Sequence, residues 1–399
     1  MNNPVTAPTP IATTVSAPVP TRVQRLLSLD VVRGITIAFM IMVNNNGGPG
    51  SWRFMNHASW NGLTPTDLVF PTFVFVVGVS VVLAFDARLA RGATRARLAW
   101  HTVQRAVVLF LLGIVVNSFP FFQLQHMRFY GVLQRIAVCY LVVGLFYLWD
   151  NRASTKVVAL VVALVGYWIL VRWVPIPGVG TPGRDVPFMD MTQNLVSWID
   201  RLVFPHHLYL YAPDHNVRDP EGLLSDLPAI GTALLGVLTG LWLRSDKPAS
   251  FKANGLAVAA LSSLALGYFW ALWFPLNKNM WTSSFVLVAA GYSLAVLAFA
   301  FWAIEVRGWR KGWTWVWLVF GSNAIAAYMF SELLPGVLDN VTVPDGPGRH
   351  AALNVVLFAH IFAHIPNPHW AAFAYSVSFT AVCFIPVWIL YRKKIFLKV

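Results

Sequence analysis

Charge is scarce in this chain. Only 11% of its 399 residues are Asp, Glu, Lys or Arg, with 16 acidic side chains against 29 basic ones, where soluble domains carry about 25% charged residues. That excludes an ordinary soluble globule. Cysteine is nearly absent: Cys139 and Cys383 both fall inside apolar runs, where a thiol behaves as a small hydrophobe. Neither a disulfide framework nor a zinc site follows from them. Also missing are the phosphate-binding pattern G-x-x-x-x-G-K-[ST], a G-x-G-x-x-G turn opening a helix after a strand, and the G-x-S-x-G elbow. ATP-driven transport, a Rossmann dehydrogenase and an ordinary serine hydrolase lose support with them. Residues 1–24, beginning MNNPVTAPTPIATTVSAPVPT, show no periodicity and no basic stretch followed by an apolar one. They are expected to be disordered and are unlike a signal peptide.

Apolar residues fill the chain instead: 57% are hydrophobic, with 18 Trp and 28 Phe. Runs long enough to cross about 30 Å of hydrocarbon occur near 29–46, 67–86, 103–119, 130–149, 155–173, 225–243, 254–274, 282–304, 313–333 and 370–391. They predict an all-α, polytopic integral membrane bundle of about ten helices, occupying residues 25–399. The segment HAALNVVLFAHIFAHIP, 350–366, is shorter, carries three histidines and is expected to lie at the outer face, interfacial or re-entrant. Basic residues mark alternate loops: Arg22 and Arg25; Arg88, Arg91, Arg95 and Arg97; Arg152 and Lys156; Arg244, Lys247 and Lys252; Arg307, Arg310 and Lys311; then the closing YRKKIFLKV. Lys and Arg accumulate in cytoplasmic loops, so both termini are expected inside. The formal charge of +13 then reflects topology and not nucleic acid. A long loop, about 174–224, and the stretch NHASWNGLTPTD, 56–67, fall on the outer side. No internal repeat is visible, which weighs against the inverted-repeat transporter folds.

Polar groups inside spans are costly and tend to mark function. Tracing each helix puts Asn44, Asp67, Arg135, Asp226 and Glu332, with the NKN run Asn277, Lys278 and Asn279, toward that same outer side. Taken singly, each has an ordinary reading. His57 can be an interfacial histidine, Asp67 a helix N-terminal residue favoured by the macrodipole, and Arg135 a snorkelling side chain. The set His206, His207, Asp214 and His215 matches no standard zinc spacing, and no metal is expected. Together the groups describe a polar site open to the outside.

With those residues in place, the chain resembles the heparan-alpha-glucosaminide N-acetyltransferase family of transmembrane acyltransferases. The resemblance rests on SLDVVRGITIAFMIMVNN, NHASWNGLTPTDLVFPTFVFVVGVS, YGVLQRIAVCYLVVG, DPEGLLSDLPAIGTALLGVLTG, FPLNKNMWTSSFVL and YRKKIF, six motifs in one order from about residue 25 onward. It implies transfer of acetyl from cytoplasmic acetyl-CoA to a sugar amine across the membrane. The family's active-site histidine falls on His57, its neighbouring polar residues on Asn44 and Asp67, and its arginine on Arg135. The stretch after Asn44 is longer than the family's usual spacing, which leaves Asn44, Asn45 and Asn46 open as matches. The large luminal domain of the lysosomal form has no counterpart before the first helix, so a bacterial inner membrane with the site facing the periplasm is expected.

An amine attacks a thioester only when unprotonated, and imidazole titrates in the useful range. His57 is therefore expected as general base or acetyl carrier, with Asp67 fixing its tautomer and Asn44 donating to the oxyanion. Anionic coenzyme A calls for basic residues: Arg135 along the inner path, Arg33 and Arg105 near the cytoplasmic mouth, and Lys278 close to the thioester or acceptor. Trp60, Asn61, Asn277, Asn279, His207 and Glu332 are the candidate sugar-binding groups, with Trp198 and Tyr209 nearby in the long loop. Two other readings stay open: O-acetylation of an envelope glycan, and a proton-coupled amino-sugar permease using His57 and Asp67. Partners are the lipid bilayer and a small amino sugar or glycan end, with a homodimer left open.

Overall fold

The computed structural model describes residues 26–48, 50–123, 125, 127–209, 211–212, 215–216 and 218–397. The tail expected to be disordered, 1–24, lies outside the described residues, as does Asp214. Thirteen helices account for most of the chain: α1 (Leu27–Asn44), α2 (Val69–Leu89), α3 (Arg95–Ser118), α4 (Val132–Trp149), α5 (Ala153–Trp173), α6 (Leu195–Val203), α7 (Asp226–Arg244), α8 (Ala249–Trp270), α9 (Ser283–Phe301), α10 (Thr314–Ser322), α11 (Ala324–Asn340), α12 (Leu353–Ile361) and α13 (Pro368–Arg392). A 3₁₀ turn, Pro65–Leu68, leads into α2, and a π-helical turn, Trp302–Val306, extends α9. Among the described residues strand is confined to two small antiparallel hairpins, Tyr211–Ala212 with His215–Asn216 and Thr342–Pro344 with His350–Ala352.

Among the described residues nine helices are long and apolar enough to cross a membrane, and the pair α10 and α11 makes a tenth if counted as one span. The chain is an all-α polytopic membrane protein. The ninth expected span, 313–333, is not continuous: α10 and α11 meet at 79°. Asn323 leaves the helical region there (φ −131°, ψ 42°), and its buried amide bonds the C-terminal tail instead. Its Nδ2–H donates to the Ile395 carbonyl (3.1 Å), while its Oδ1 accepts from the Leu397 N–H (2.9 Å). The 350–366 segment forms a strand and the nine-residue helix α12, roughly 14 Å long and too short to span.

The helices α1, α2, α7 and α9 sit mostly buried at the centre, whereas α3, α5, α8 and α13 present most of their surface outward. Valines 157, 158, 161 and 162 on α5 are examples of side chains left for lipid. Lipid tails are as apolar as these residues, so close packing between helices falls to small side chains. At the α2–α7 crossing a Cβ on Gly78 would lie 2.0 Å from the Ala233 carbonyl oxygen, and one on Gly236 would lie 2.0 Å from that of Phe75. Only glycine permits this approach.

The bundle has two chemically different ends. At one, the loops rich in Arg and Lys gather, with Arg244 paired to Asp86 (2.7 Å) and Arg95 donating to the Leu148 carbonyl (2.6 Å). At the other, the C-terminus of α1 and the N-termini of α2, α4, α7 and α9 meet the loops 45–64, 174–224 and 271–282. The N-terminus of α13 joins them there through a contact of 2.7 Å between His369 Nδ1 and the Gly50 carbonyl.

Candidate active site

The turn before α2 builds the centre. Thr64 and Asp67 form a capping box: one oxygen of the Asp67 carboxylate, Oδ2, accepts from the Thr64 N–H (2.9 Å) and the Ala58 N–H (3.1 Å). That fixes the carboxylate and leaves Oδ1 for the imidazole. His57 Nδ1 lies 2.7 Å from it. Because a carboxylate only accepts, Nδ1 carries the proton, and in the neutral imidazole the lone pair then falls on Nε2. Asp67 is fully buried and the His57 side chain is 49% exposed, so the dyad has an anchored inner member and an accessible outer one.

A second loop brings an ammonium to the same ring. Asn277, fully buried, donates from Nδ2 to Asn61 Oδ1 (3.1 Å) and accepts from the Met280 N–H (2.8 Å). The Gly62 N–H donates to the Leu276 carbonyl (2.8 Å). These bonds clamp 57–64 against 276–282 and leave Lys278 Nζ 3.2 Å from both imidazole nitrogens. Burial pushes the Lys278 ammonium below the ordinary lysine value, against the opposing pull of Glu221 and Asp67. Asn279 follows, half-exposed. Trp60 is buried, its indole N–H on the Met189 carbonyl (2.8 Å).

The three asparagines after α1 separate by partner. Asn44 donates to Glu332 Oε1 on α11 (2.9 Å) and Asn45 to the Ile41 carbonyl (3.1 Å). Asn46 donates to Asn56 Oδ1 (2.8 Å) and the Met55 carbonyl (3.2 Å). Asn46 thus supports the histidine loop directly, and Asn44 with Glu332 ties α1 to α11.

Arg135 is fully buried, and its guanidinium is spoken for. It donates to Asp226 (2.9 Å), to the Pro220 (3.2 Å) and Gly222 (3.0 Å) carbonyls and to the Ser225 hydroxyl, with its face 4.9 Å from the Trp281 ring. In this arrangement it pins the 219–226 segment to α4. His207 places Nδ1 2.8 Å from the Met127 carbonyl and packs on Phe129, with Tyr209 under Arg128. Arg33 bonds Asp30 (3.0 Å) and Ser80 (2.9 Å) on the second turn of α1, toward the basic end. Arg105 lies over Tyr140 (5.0 Å), ten residues into α3 and so roughly 15 Å along it. Clefts of about 470 Å³, lined by Arg88, Arg91, Gly92, Ala93 and Arg97, and about 340 Å³, lined by Leu241, Arg244, Ser245 and Asp246, open at the basic end and do not touch His57. Among the described residues no three His, Cys, Asp or Glu side chains converge as a metal site.

Sequence reasoning missed the charge network of Arg128, Asp200, Asp219 and Glu221. Arg128 bonds both Asp219 (2.7 Å from Nε) and Glu221; burial would raise Glu221, but Arg128, Arg135 and Lys278 hold it below the ordinary carboxyl value. Asp200 on α6 accepts from the Leu223 N–H (2.8 Å) through Oδ1, while its Oδ2 is buried with no hydrogen-bond partner among the described residues. Burial, with Asp219 and Asp226 nearby, pushes its carboxyl up to about 7. One signal was available: DPEGLLSD places Asp219, Glu221 and Asp226 within eight residues of a chain holding only 16 acids.

Residues 25–192 match the family model described as "Heparan-alpha-glucosaminide N-acetyltransferase, catalytic". The chain is 30% identical over 428 residues to the heparan-alpha-glucosaminide N-acetyltransferase of Homo sapiens and 28% identical over 425 residues to that of Mus musculus, covering 94% of this chain in both cases. It spans about 60% of the length of these curated relatives. The chain is therefore related, over nearly its whole length, to the heparan-alpha-glucosaminide N-acetyltransferases.

Proposed function

We propose that this chain is a membrane-embedded acetyltransferase that moves acetyl from acetyl-CoA to the amine of an amino sugar at the end of the bundle holding His57. The observation that carries the proposal is the 2.7 Å contact of His57 Nδ1 with the buried Asp67, which leaves Nε2 as a base at an accessible surface. The names of the relatives supply the reaction class.

In the direct route, His57 Nε2 takes a proton from the acceptor nitrogen as that nitrogen attacks the acetyl carbonyl carbon. The C–S bond breaks, and the proton passes to the departing thiolate. In the covalent route Nε2 attacks the acetyl carbonyl carbon and the C–S bond breaks, releasing the thiolate; the amine then attacks the acetyl-imidazole, its N–C bond breaks to regenerate the imidazole, and the amine's proton passes to the thiolate. Asp67 serves both by holding the tautomer and stabilising the imidazolium. Lys278, 3.2 Å from the ring, offers an ammonium suited to stabilising the negative charge that develops on the carbonyl oxygen. The basic loops at the opposite end fit a cytoplasmic orientation, which puts His57 on the far side of the membrane, with coenzyme A approaching through the bundle.

Purified protein given labelled acetyl-CoA and glucosamine tests the reading. Labelled N-acetylglucosamine is the expected product. Absence of acetyl-CoA consumption with amino sugars and with envelope glycans would overturn it in favour of a permease.

A further inference from the structure

The covalent route needs a carrier for one proton. Once Nε2 of His57 holds the acetyl group it cannot accept the proton of the attacking amine, and Nδ1 is committed to Asp67 (2.7 Å). Among the described residues, the other titratable side chain within hydrogen-bond distance of the ring is Lys278, its Nζ 3.2 Å from both nitrogens. The equal distances decide where the ammonium stands. A donor aligned with the Nε2 lone pair would be out of hydrogen-bond range of Nδ1, so Nζ lies off that lone pair and leaves it open to a carbonyl carbon.

The loop is built to hold that position. The Trp281 N–H donates to the Lys278 carbonyl (3.0 Å) and the Thr282 N–H to the Asn277 carbonyl (3.1 Å). Trp281 itself is fully buried at φ +52°, with its indole N–H on the Thr232 hydroxyl (3.0 Å). Left-handed backbone at a bulky residue persists only where the surroundings over-determine it, and such strain clusters at active sites. Here it closes the turn that fixes the Lys278 backbone.

Charge then separates the two possible carriers. A second proton on His57 would set an imidazolium against the Lys278 ammonium, and like charges at that distance disfavour each other. The site holds one cation more readily than two. Glu221 and Asp67 favour the ammonium, whereas burial and Arg135 oppose it; burial is the largest effect, so Lys278 releases its proton more readily than an ordinary lysine.

We propose that Lys278 is the proton carrier of the reaction: as an ammonium it protonates the leaving thiolate, and as the resulting amine it takes the proton of the acceptor nitrogen. This rests on the acetyltransferase reading and selects its covalent route. Nε2 attacks the acetyl carbonyl carbon, the C–S bond breaks, and the thiolate takes a proton from Nζ while the ring becomes an acetyl-imidazolium. The acceptor amine then attacks the same carbon and passes a proton to Nζ. The imidazole N–C bond breaks and its electron pair returns to Nε2. One positive charge alternates between ring and lysine throughout, with Asp67 beside it in both states.

The test begins with wild type given unlabelled acetyl-CoA and labelled coenzyme A without acceptor. Label is expected to enter acetyl-CoA, because thiolate release from the acetyl-enzyme is reversible. Lys278→Arg keeps the charge but holds its proton at every working pH; exchange and glucosamine acetylation should both fall on the order of a hundredfold to ten-thousandfold. Lys278→Cys should be equally impaired. Its alkylation with 2-bromoethylamine, the native Cys139 and Cys383 being buried, rebuilds a less basic amine. The rate should then return, with the alkaline limb of kcat/KM for acetyl-CoA moved to lower pH. A Lys278→Arg rate near wild type would mean that a fixed charge suffices and overturn the proposal. So would an alkaline limb that stays in place after alkylation. Glucosamine acetylated by wild type without exchange would make Nε2 the base, which overturns the proposal even if no variant folds and leaves the acetyltransferase reading intact. Neither exchange nor acetylation would end both.

Discussion

Arg91, Lys247, Arg307 and Lys311, at one end of the bundle, extend from loops into solvent. Arg135, buried, and Arg128, largely buried, at the other, are bonded to Asp226 and to Asp219 and Glu221. Both sets look alike in sequence, as basic residues beside apolar runs. Their energetics differ, because an exposed cation is solvated and costs little to change, whereas a buried pair has exchanged water for a specific geometry. Charge at the basic end fits the pattern by which loop cations orient a membrane protein. Charge at the His57 end holds a shape, and that shape presents the imidazole.

The contrast breaks most sharply at Asp67. Asp67→Asn keeps the volume and removes the acceptor that fixes the His57 tautomer, so acetyl transfer should fall on the order of a thousandfold or more; retention within a few-fold, measured as initial rates on folded protein, would deny the dyad its role. Next comes Arg135→Met, which leaves Asp226 buried beside other carboxylates without its cation. A loss of about 3–5 kcal/mol is expected, read as the midpoint of unfolding in detergent. An unaltered midpoint would mean that the pair is not structural.

Asp200 offers a pH test. Its carboxyl is pushed up to about 7 from an unfolded value of about 4. Between those values the folded form binds the proton more tightly, so its contribution to stability falls as pH rises through that window and is lost above it. Asp200→Asn should match wild type near pH 4 and exceed it at pH 8, by at most about 1.4 kcal/mol per pH unit crossed. Parallel stability curves for the two proteins would exclude that titration. The smallest effect belongs to the basic end: Arg91→Gln, on an exposed residue, should change stability by no more than about 0.5 kcal/mol and leave activity intact.

What could be read from sequence was what depends on short range. The spans show in runs of apolar residues, and the His57–Asp67 pairing lies within one turn-and-cap of ten residues. The break at Asn323 was hidden because its amide bonds a tail more than seventy residues later. Lys278 was recognisable as a cation, yet its 3.2 Å approach depends on a clamp between loops 216 residues apart, Asn61 and Asn277. Arg135 was expected on the coenzyme path; the partners that occupy its guanidinium lie 85 to 91 residues away, beyond any local pattern.

The central claim is that the imidazole of His57, set by Asp67, carries the acetyl transfer. Its most direct test is the rate of acetyl-CoA-dependent glucosamine acetylation in purified His57→Ala beside wild type, with the variant's folding checked by its unfolding midpoint. The account expects a folded variant whose rate is indistinguishable from the protein-free background. A folded variant that still acetylates glucosamine at a rate near wild type would contradict it.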